Sequence, residues 1–175
     1  MHPDSHSGAA TKVEVDVGRP HAGSLTLHYF VTGTISDLRL PPVTAPARAD
    51  ELWRHTCFEA FVRAPRSAAY HEFNFAPSTQ WAAYRFGGYR SGMAVANAVS
   101  TPRFETRSDG TGYELQIALE LDGVADLPSD APWQLGLSAV IEDASGAKSY
   151  WALAHPPGRA DFHHADCFAL ELAAA

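Results

Sequence analysis

The chain has 175 residues, of which 46% are hydrophobic and 19% charged, and a formal net charge of -7. That length fits one well-filled core and is short for two domains, and the hydrophobic content excludes a disordered polymer. The negative field disfavours nucleic acid and anionic membrane as partners, no apolar run reaches the roughly 18 residues of a spanning helix, and two cysteines are too few for a disulfide scaffold.

Residues 1–10, MHPDSHSGAA, are polar and lack the apolar stretch of a secretory signal. They read as a flexible tail, and a cytoplasmic location is expected. From there the chain alternates apolar and polar residues at period two. Thr11 to Val17 sets Val13, Val15 and Val17 on one face against Lys12, Glu14 and Asp16, and Gly18-Arg19-Pro20 ends that strand. Residues 24–33 place Leu25, Leu27, Tyr29 and Val31 together. The proline-rich stretch 34–50 suits a loop crossing a sandwich edge, because proline removes ladder hydrogen bonds. Residues 56–63 are dense in apolar side chains, Cys57, Phe58, Ala60, Phe61 and Val62, interrupted only by Glu59, and read as a central strand. Residues 69–75 pair with it, setting His71, Phe73 and Phe75 against Tyr70, Glu72 and Asn74. Residues 80–86 form the next strand, with Trp81, Ala83 and Arg85 on one face and Ala82, Tyr84 and Phe86 on the other.

Residues 93–99 and 102–107 read as a weaker strand pair. Asp109-Gly110 marks a hairpin turn into the strong strand 112–119. Leu121 to Leu127 reads as a short helical turn limited by Pro128. Strands at 133–141 and 148–154 flank a turn at 143–146, and Cys167 to Leu172 is the last strand. The sum is one all-β domain over residues 11–173, an antiparallel, jelly-roll-like β-sandwich of about ten strands.

Two runs carry a family resemblance: Leu52-Trp53-Arg54-His55-Thr56-Cys57-Phe58-Glu59-Ala60-Phe61-Val62, and Tyr70-His71-Glu72-Phe73-Asn74-Phe75-Ala76-Pro77-Ser78-Thr79-Gln80-Trp81. With Gly112 to Leu119, Gly136 to Asp143, Tyr150 to Pro156 and Asp161 to His164, their order resembles the DOMON-like superfamily. That superfamily includes the family 9 carbohydrate-binding modules, and a bacterial group of stand-alone DOMON-like proteins is similar. The resemblance spans about residues 12–172. It implies a sandwich that binds a sugar or, in some relatives, a haem. Thr79 stands where the family's hairpin has a glycine. Haem-binding relatives use a methionine–histidine axial pair, and with Met1 and Met93 as the only methionines, haem is not expected here. Some relatives hold a structural calcium, for which Asp143 and Asp161 are loop candidates.

Tryptophans near Trp53 and Trp151 clamp the sugar in the carbohydrate-binding relatives. An indole face stacks on the C–H face of a sugar, while polar neighbours take its hydroxyls. The alternative for both is core or rim packing. Trp81 and Trp133 read as structural. Arg85 and Arg90, in the basic-aromatic run Tyr84 to Arg90, could fork onto an acidic ligand or lie on a solvated edge. His155, His163 and His164 crowd one C-terminal stretch with Asp161 and Asp166. Imidazole and carboxylate suit a borderline metal, but adjacent strand residues point to opposite faces, so His163 and His164 would not both ligate. Glu59 and Glu72 could share a groove as a glycosidase-like pair or hydrogen-bond as anchors. The expectation is a domain that binds a small carbohydrate-like ligand without transforming it. Trp53, Arg54, Arg85, Trp151, His155 and His163 would line the cleft, no cofactor is assigned, and a homodimer is possible. A protein-interaction or structural domain is the first rival and a metal-assisted enzyme the second; Asp143, Asp161 and His164 are candidates for a metal.

Overall fold

Period-two burial runs through the computed structural model, which describes residues 1–3, 5 and 8–175; residues 4, 6 and 7 of the expected tail lie outside the described residues. Eleven strands occur among them: β1 (Ala10–Gly18), β2 (Ser24–Gly33), β3 (Cys57–Arg63), β4 (Tyr70–Phe75), β5 (Trp81–Phe86), β6 (Ala94–Val95), β7 (Arg103–Ser108), β8 (Gly112–Glu120), β9 (Trp133–Glu142), β10 (Lys148–Ala152) and β11 (Leu170–Leu172). They form two antiparallel sheets. The smaller has the order β1-β2-β8-β7; the larger runs β10-β9-β3-β4-β5-β6, with β11 also on β9.

The main core lies between the sheets. Leu25, Leu27, Tyr29 and Val31 of β2 and Leu115, Ile117 and Leu119 of β8 meet Phe58, Ala60 and Val62 of β3, Phe73 and Phe75 of β4, and Leu135, Leu137 and Ala139 of β9. Each large apolar side chain sealed here contributes roughly 1.5–3 kcal/mol. Trp81 and Trp133 are fully buried in it, and arginines cover both rings: Arg48 stacks 4.0 Å from the Trp81 centroid and Arg19 3.6 Å from that of Trp133.

The outer face of the larger sheet is also covered. Between β10 and β11 the chain leaves the sheet and crosses that face as an irregular strap, residues 153–169. Phe162 and Phe168 of the strap pack with Phe61, Tyr70, Ala82, Tyr84, Phe86 and Val140 in a second, smaller apolar cluster. β10 and β11 lie end to end along the same edge of β9, pairing with residues 138–142 and 133–135. Gly136, between those stretches, gives the strap room: a Cβ there would stand 2.9 Å from the Cys167 carbonyl oxygen. Double coverage explains why β3 and β4 are buried on both sides despite carrying Glu59, Glu72 and Asn74.

Three local expectations are corrected. Residues 93–99 and 102–107 do not pair; β6 joins β5 in the larger sheet and β7 joins β8 in the smaller. Residues 121–127 make successive turns rather than a helix, closed by bonds from Val124 N to Leu121 O and from Leu127 N to Val124 O. The last strand begins at Leu170, because Ala165–Cys167 is a 3-10 turn that ends the strap. The described residues ahead of β1 lie against the fold: His2 N donates to Tyr150 O at 2.7 Å, and Tyr150 N donates to Ser5 Oγ at 2.9 Å.

Candidate functional site

The outer face of the larger sheet holds a cavity of about 520 Å³. Strand parity decides its floor. In β3, Phe58, Ala60 and Val62 point to the core, so Glu59 points outward; in β4, Phe73 and Phe75 point to the core, so Glu72 points outward. Tyr84 and Phe86 of β5, Val140 of β9, and Lys148 and Tyr150 of β10 reach the same space by the same rule. Trp53 and Arg54 enter from the 3-10 turn at Leu52–Arg54, Arg90 and Met93 from the loop after β5, and Phe162 and His163 from the strap.

Two buried carboxyls occupy the floor. Glu59 is 3% exposed, and Oε2 accepts from Ser138 Oγ at 3.1 Å; among the described residues no side chain donates to Oε1. Glu72 Oε1 accepts from Asn74 Nδ2 at 2.6 Å. Burial raises the Glu59 carboxyl to about 8, aided by the charge of Glu72. Burial raises Glu72 as well, against the hydrogen bond from Asn74 and the charge of Arg90. Glu59 is therefore largely protonated at neutral pH and presents a carboxylic acid to the cavity.

A histidine relay stands beside them. The Tyr70 hydroxyl accepts from the Arg90 amide at 3.2 Å and meets His163 Nδ1 at 2.7 Å. Donation to Nδ1 leaves the proton on Nε2, which faces Glu72 Oε2 at 3.6 Å, too far for a hydrogen bond. Burial, together with the charge of Arg90, lowers His163 to about 4, so its ring is neutral at neutral pH and supplies no counter-charge to the floor. Arg90 itself is held by Asp161, with Nη2 2.7 Å from Oδ1, and Tyr89 also donates to that carboxylate. Burial alone would raise Asp161, but the hydrogen bonds from Tyr89 and Arg90 hold it below the usual carboxylate range.

The walls are aromatic. Trp53 is 39% exposed and meets Tyr84 edge-on, with centroids 6.2 Å apart. The Tyr84 hydroxyl donates to Asp50 at 2.5 Å, which fixes that ring. Tyr150 and Phe162 face each other across 6.3 Å.

Of the six residues expected to line a cleft, Trp53, Arg54 and His163 come together here. Trp151 does not join Trp53: it is next to Tyr150 on β10 and takes the opposite parity, packing against the main core with Nε1 bonded to Ser149 Oγ at 2.9 Å. Its neighbour Tyr150 supplies the ring on this side. Arg85 points to the core side at the rim and pairs with Asp126 at 2.6 Å. His155 lies at the start of the strap, against Phe162 and His2, and does not line the cavity. Asp143, Asp161 and His164 do not converge. Asp143 Oδ1 is taken by its own turn, accepting from Ser145 N, Ser145 Oγ and Ala147 N, and His164 Nδ1 accepts from Asp166 N. Among the described residues no three His, Cys, Asp or Glu side chains gather as a metal-holding group. Both cysteines are free and buried.

No family model and no curated protein matches this sequence. Among solved structures, the fold is shared by a protein from Bacteroides uniformis, provisionally described as carbohydrate-binding, with a TM-score of 0.64 and 14% identity over 87% of this chain and 74% of its own.

Proposed function

We propose that the protein binds a small carbohydrate-like ligand in the cavity on the outer face of the larger sheet and releases it unchanged. The observation that carries this reading is the pairing of a half-open indole, Trp53, with a floor of buried hydrogen-bonding groups. Sugars need both: an apolar plane for the ring's C–H face and fixed polar partners for its hydroxyls. Glu59 as an acid, Glu72, Arg54, Lys148 and His163 give donors and acceptors, while Tyr84, Phe86 and Tyr150 complete the apolar wall. The fold shared with the Bacteroides protein supports the reading, and the motif order of the chain resembles that of DOMON-like modules, a superfamily to which we propose it belongs.

Trp81 and Trp133 are sealed and Trp151 lies on the other face, so a ligand in this cavity acts on the emission of Trp53 alone. A saccharide panel titrated against intrinsic fluorescence therefore tests the site directly. Binding should shift the emission, and Trp53→Ala should abolish binding while the fold persists. If no saccharide shifts the emission, and Trp53→Ala alters no binding measurement, the reading is wrong.

The two carboxyls favour a second reading, glycoside hydrolysis with protonated Glu59 as the acid and Glu72 as its partner. Release of nitrophenol from aryl glycosides, lost in Glu59→Gln, would put catalysis in place of simple binding.

A further inference from the structure

The floor of the cavity is acidic, and among the described residues no cationic side chain hydrogen-bonds its carboxyls, although the charge of Arg90 reaches both. Glu59 and Glu72 are 3% and 6% exposed, and their hydrogen-bond partners are the neutral groups Ser138 and Asn74. The cations lining the cavity are committed elsewhere or set apart from the floor. Arg54 is paired with Glu51 at 2.7 Å and Arg90 with Asp161 at 2.7 Å, while Lys148 enters from β10 at the edge of the sheet. Buried carboxyls are matched by a cation or, like Glu59 here, kept protonated, because an unmatched charge is costly out of water. Among the described residues Glu59 Oε1 also has no side-chain donor, and Glu59 lines the cavity, so its free hydrogen-bonding capacity is turned to the ligand space. Around it stand Trp53, Tyr84, Phe86, Tyr150 and Phe162, whose ring faces attract positive charge.

We propose that Glu59 and Glu72 form a seat for a protonated amine, so that the carbohydrate-like ligand of this site is an amino sugar. The inference rests on the carbohydrate reading above and adds the charge of the ligand. An ammonium placed between the two carboxyls would take the place of the Glu59 proton, which leaves to solvent, donate hydrogen bonds to Glu59 Oε1 and Glu72 Oε2, and lie against the aromatic wall. The sugar ring would then stack on Trp53.

The test is a fluorescence and calorimetric titration at pH 6.5 with five probes: D-glucosamine, D-glucose, N-acetyl-D-glucosamine, D-glucuronate and cyclohexylamine. D-Glucosamine should bind at least ~10-fold more tightly than D-glucose or N-acetyl-D-glucosamine, the scale set by a desolvated charge pair with cation–π contact. Glu59→Gln and, separately, Glu72→Gln should each cut that preference below ~3-fold, with circular dichroism confirming the fold. Equal binding of the three hexoses, or a preference for D-glucuronate, overturns the amine seat and leaves the carbohydrate reading standing. Binding of cyclohexylamine without any sugar supports the seat and overturns the carbohydrate reading. Binding of none of the five overturns both.

Discussion

Replacing Glu59 by glutamine should stabilise this protein in a pH-dependent way. The side chain is 3% exposed, and its carboxyl is raised from 4.5 to about 8 by burial and by Glu72. A carboxyl with a raised native pKa binds its proton more tightly when folded than when unfolded. Its contribution to stability is therefore complete below pH 4.5, is lost as pH rises, and stays lost above about 8. At about 1.4 kcal/mol per pH unit, the whole loss is about 5 kcal/mol, of which about 3 kcal/mol is already felt at pH 7. Glutamine has the same shape, keeps an oxygen for Ser138 and never ionises. Urea unfolding of wild type and Glu59→Gln at pH 4.5, 7 and 8.5 should give a difference near zero at the lowest pH, about 3 kcal/mol in favour of the variant at pH 7, and more at pH 8.5. A difference that ignores pH, or a variant less stable than wild type at pH 8.5, would refute the claim that this carboxyl is buried as an acid.

Four further outcomes follow from the structure. His163 is lowered to about 4, so the unfolded chain takes up its proton first as pH falls from 6.5; wild type should lose about 3 kcal/mol from this group between pH 6.5 and 4, and His163→Gln should flatten that acid limb of the stability curve. Gly136→Ala would press a methyl 2.9 Å from the Cys167 carbonyl oxygen and 3.5 Å from Phe61 Cβ, costing about 1–3 kcal/mol and speeding hydrogen exchange in the strap. Gly110→Ala, with nothing within 4 Å, should be neutral in the same assays. Trp133→Ala removes a ring that is 0% exposed and whose Nε1 donates to Pro128 O at 2.9 Å; thermal and urea unfolding should report a loss of about 3–5 kcal/mol, and a loss under about 1 kcal/mol would contradict its place in the core.

Much of the sandwich was legible because each strand declares its own two faces. The opposition of His71, Phe73 and Phe75 to Tyr70, Glu72 and Asn74, and of Trp81, Ala83 and Arg85 to Ala82, Tyr84 and Phe86, is seen in the structure. Parity does not say which face turns inward where both carry rings. Tyr150 and Trp151 are adjacent on β10, and the packing of an edge strand, not its composition, sends the tyrosine to the cavity and the tryptophan to the core. Arg85 and Arg90 divide in the same way: strand parity and Asp126 hold the first at the far rim, while the loop brings the second to the cavity. The strap is the least legible element, since irregular backbone has no period, and together with the turn at Leu52–Arg54 and the loop after β5 it turns the outer sheet face into a cavity. One signal for the floor was present in the chain: Glu59 interrupts an otherwise apolar central strand, where a charge is costly unless used.

The floor also constrains when the site can exist during folding. Ser138 reaches Glu59 across 79 positions of sequence, through the ladder that β9 forms with β3. Neither half of the chain holds the whole cavity: Glu59 and Glu72 of its floor lie in the first half, and Val140, Tyr150, Phe162 and His163 in the second. The pocket therefore arises with the most distant pairing in the larger sheet, and closing such long loops is slow. Any ligand held there clasps the early and late portions of the polypeptide at once, so occupancy would register as resistance to global unfolding rather than as stiffening of one loop.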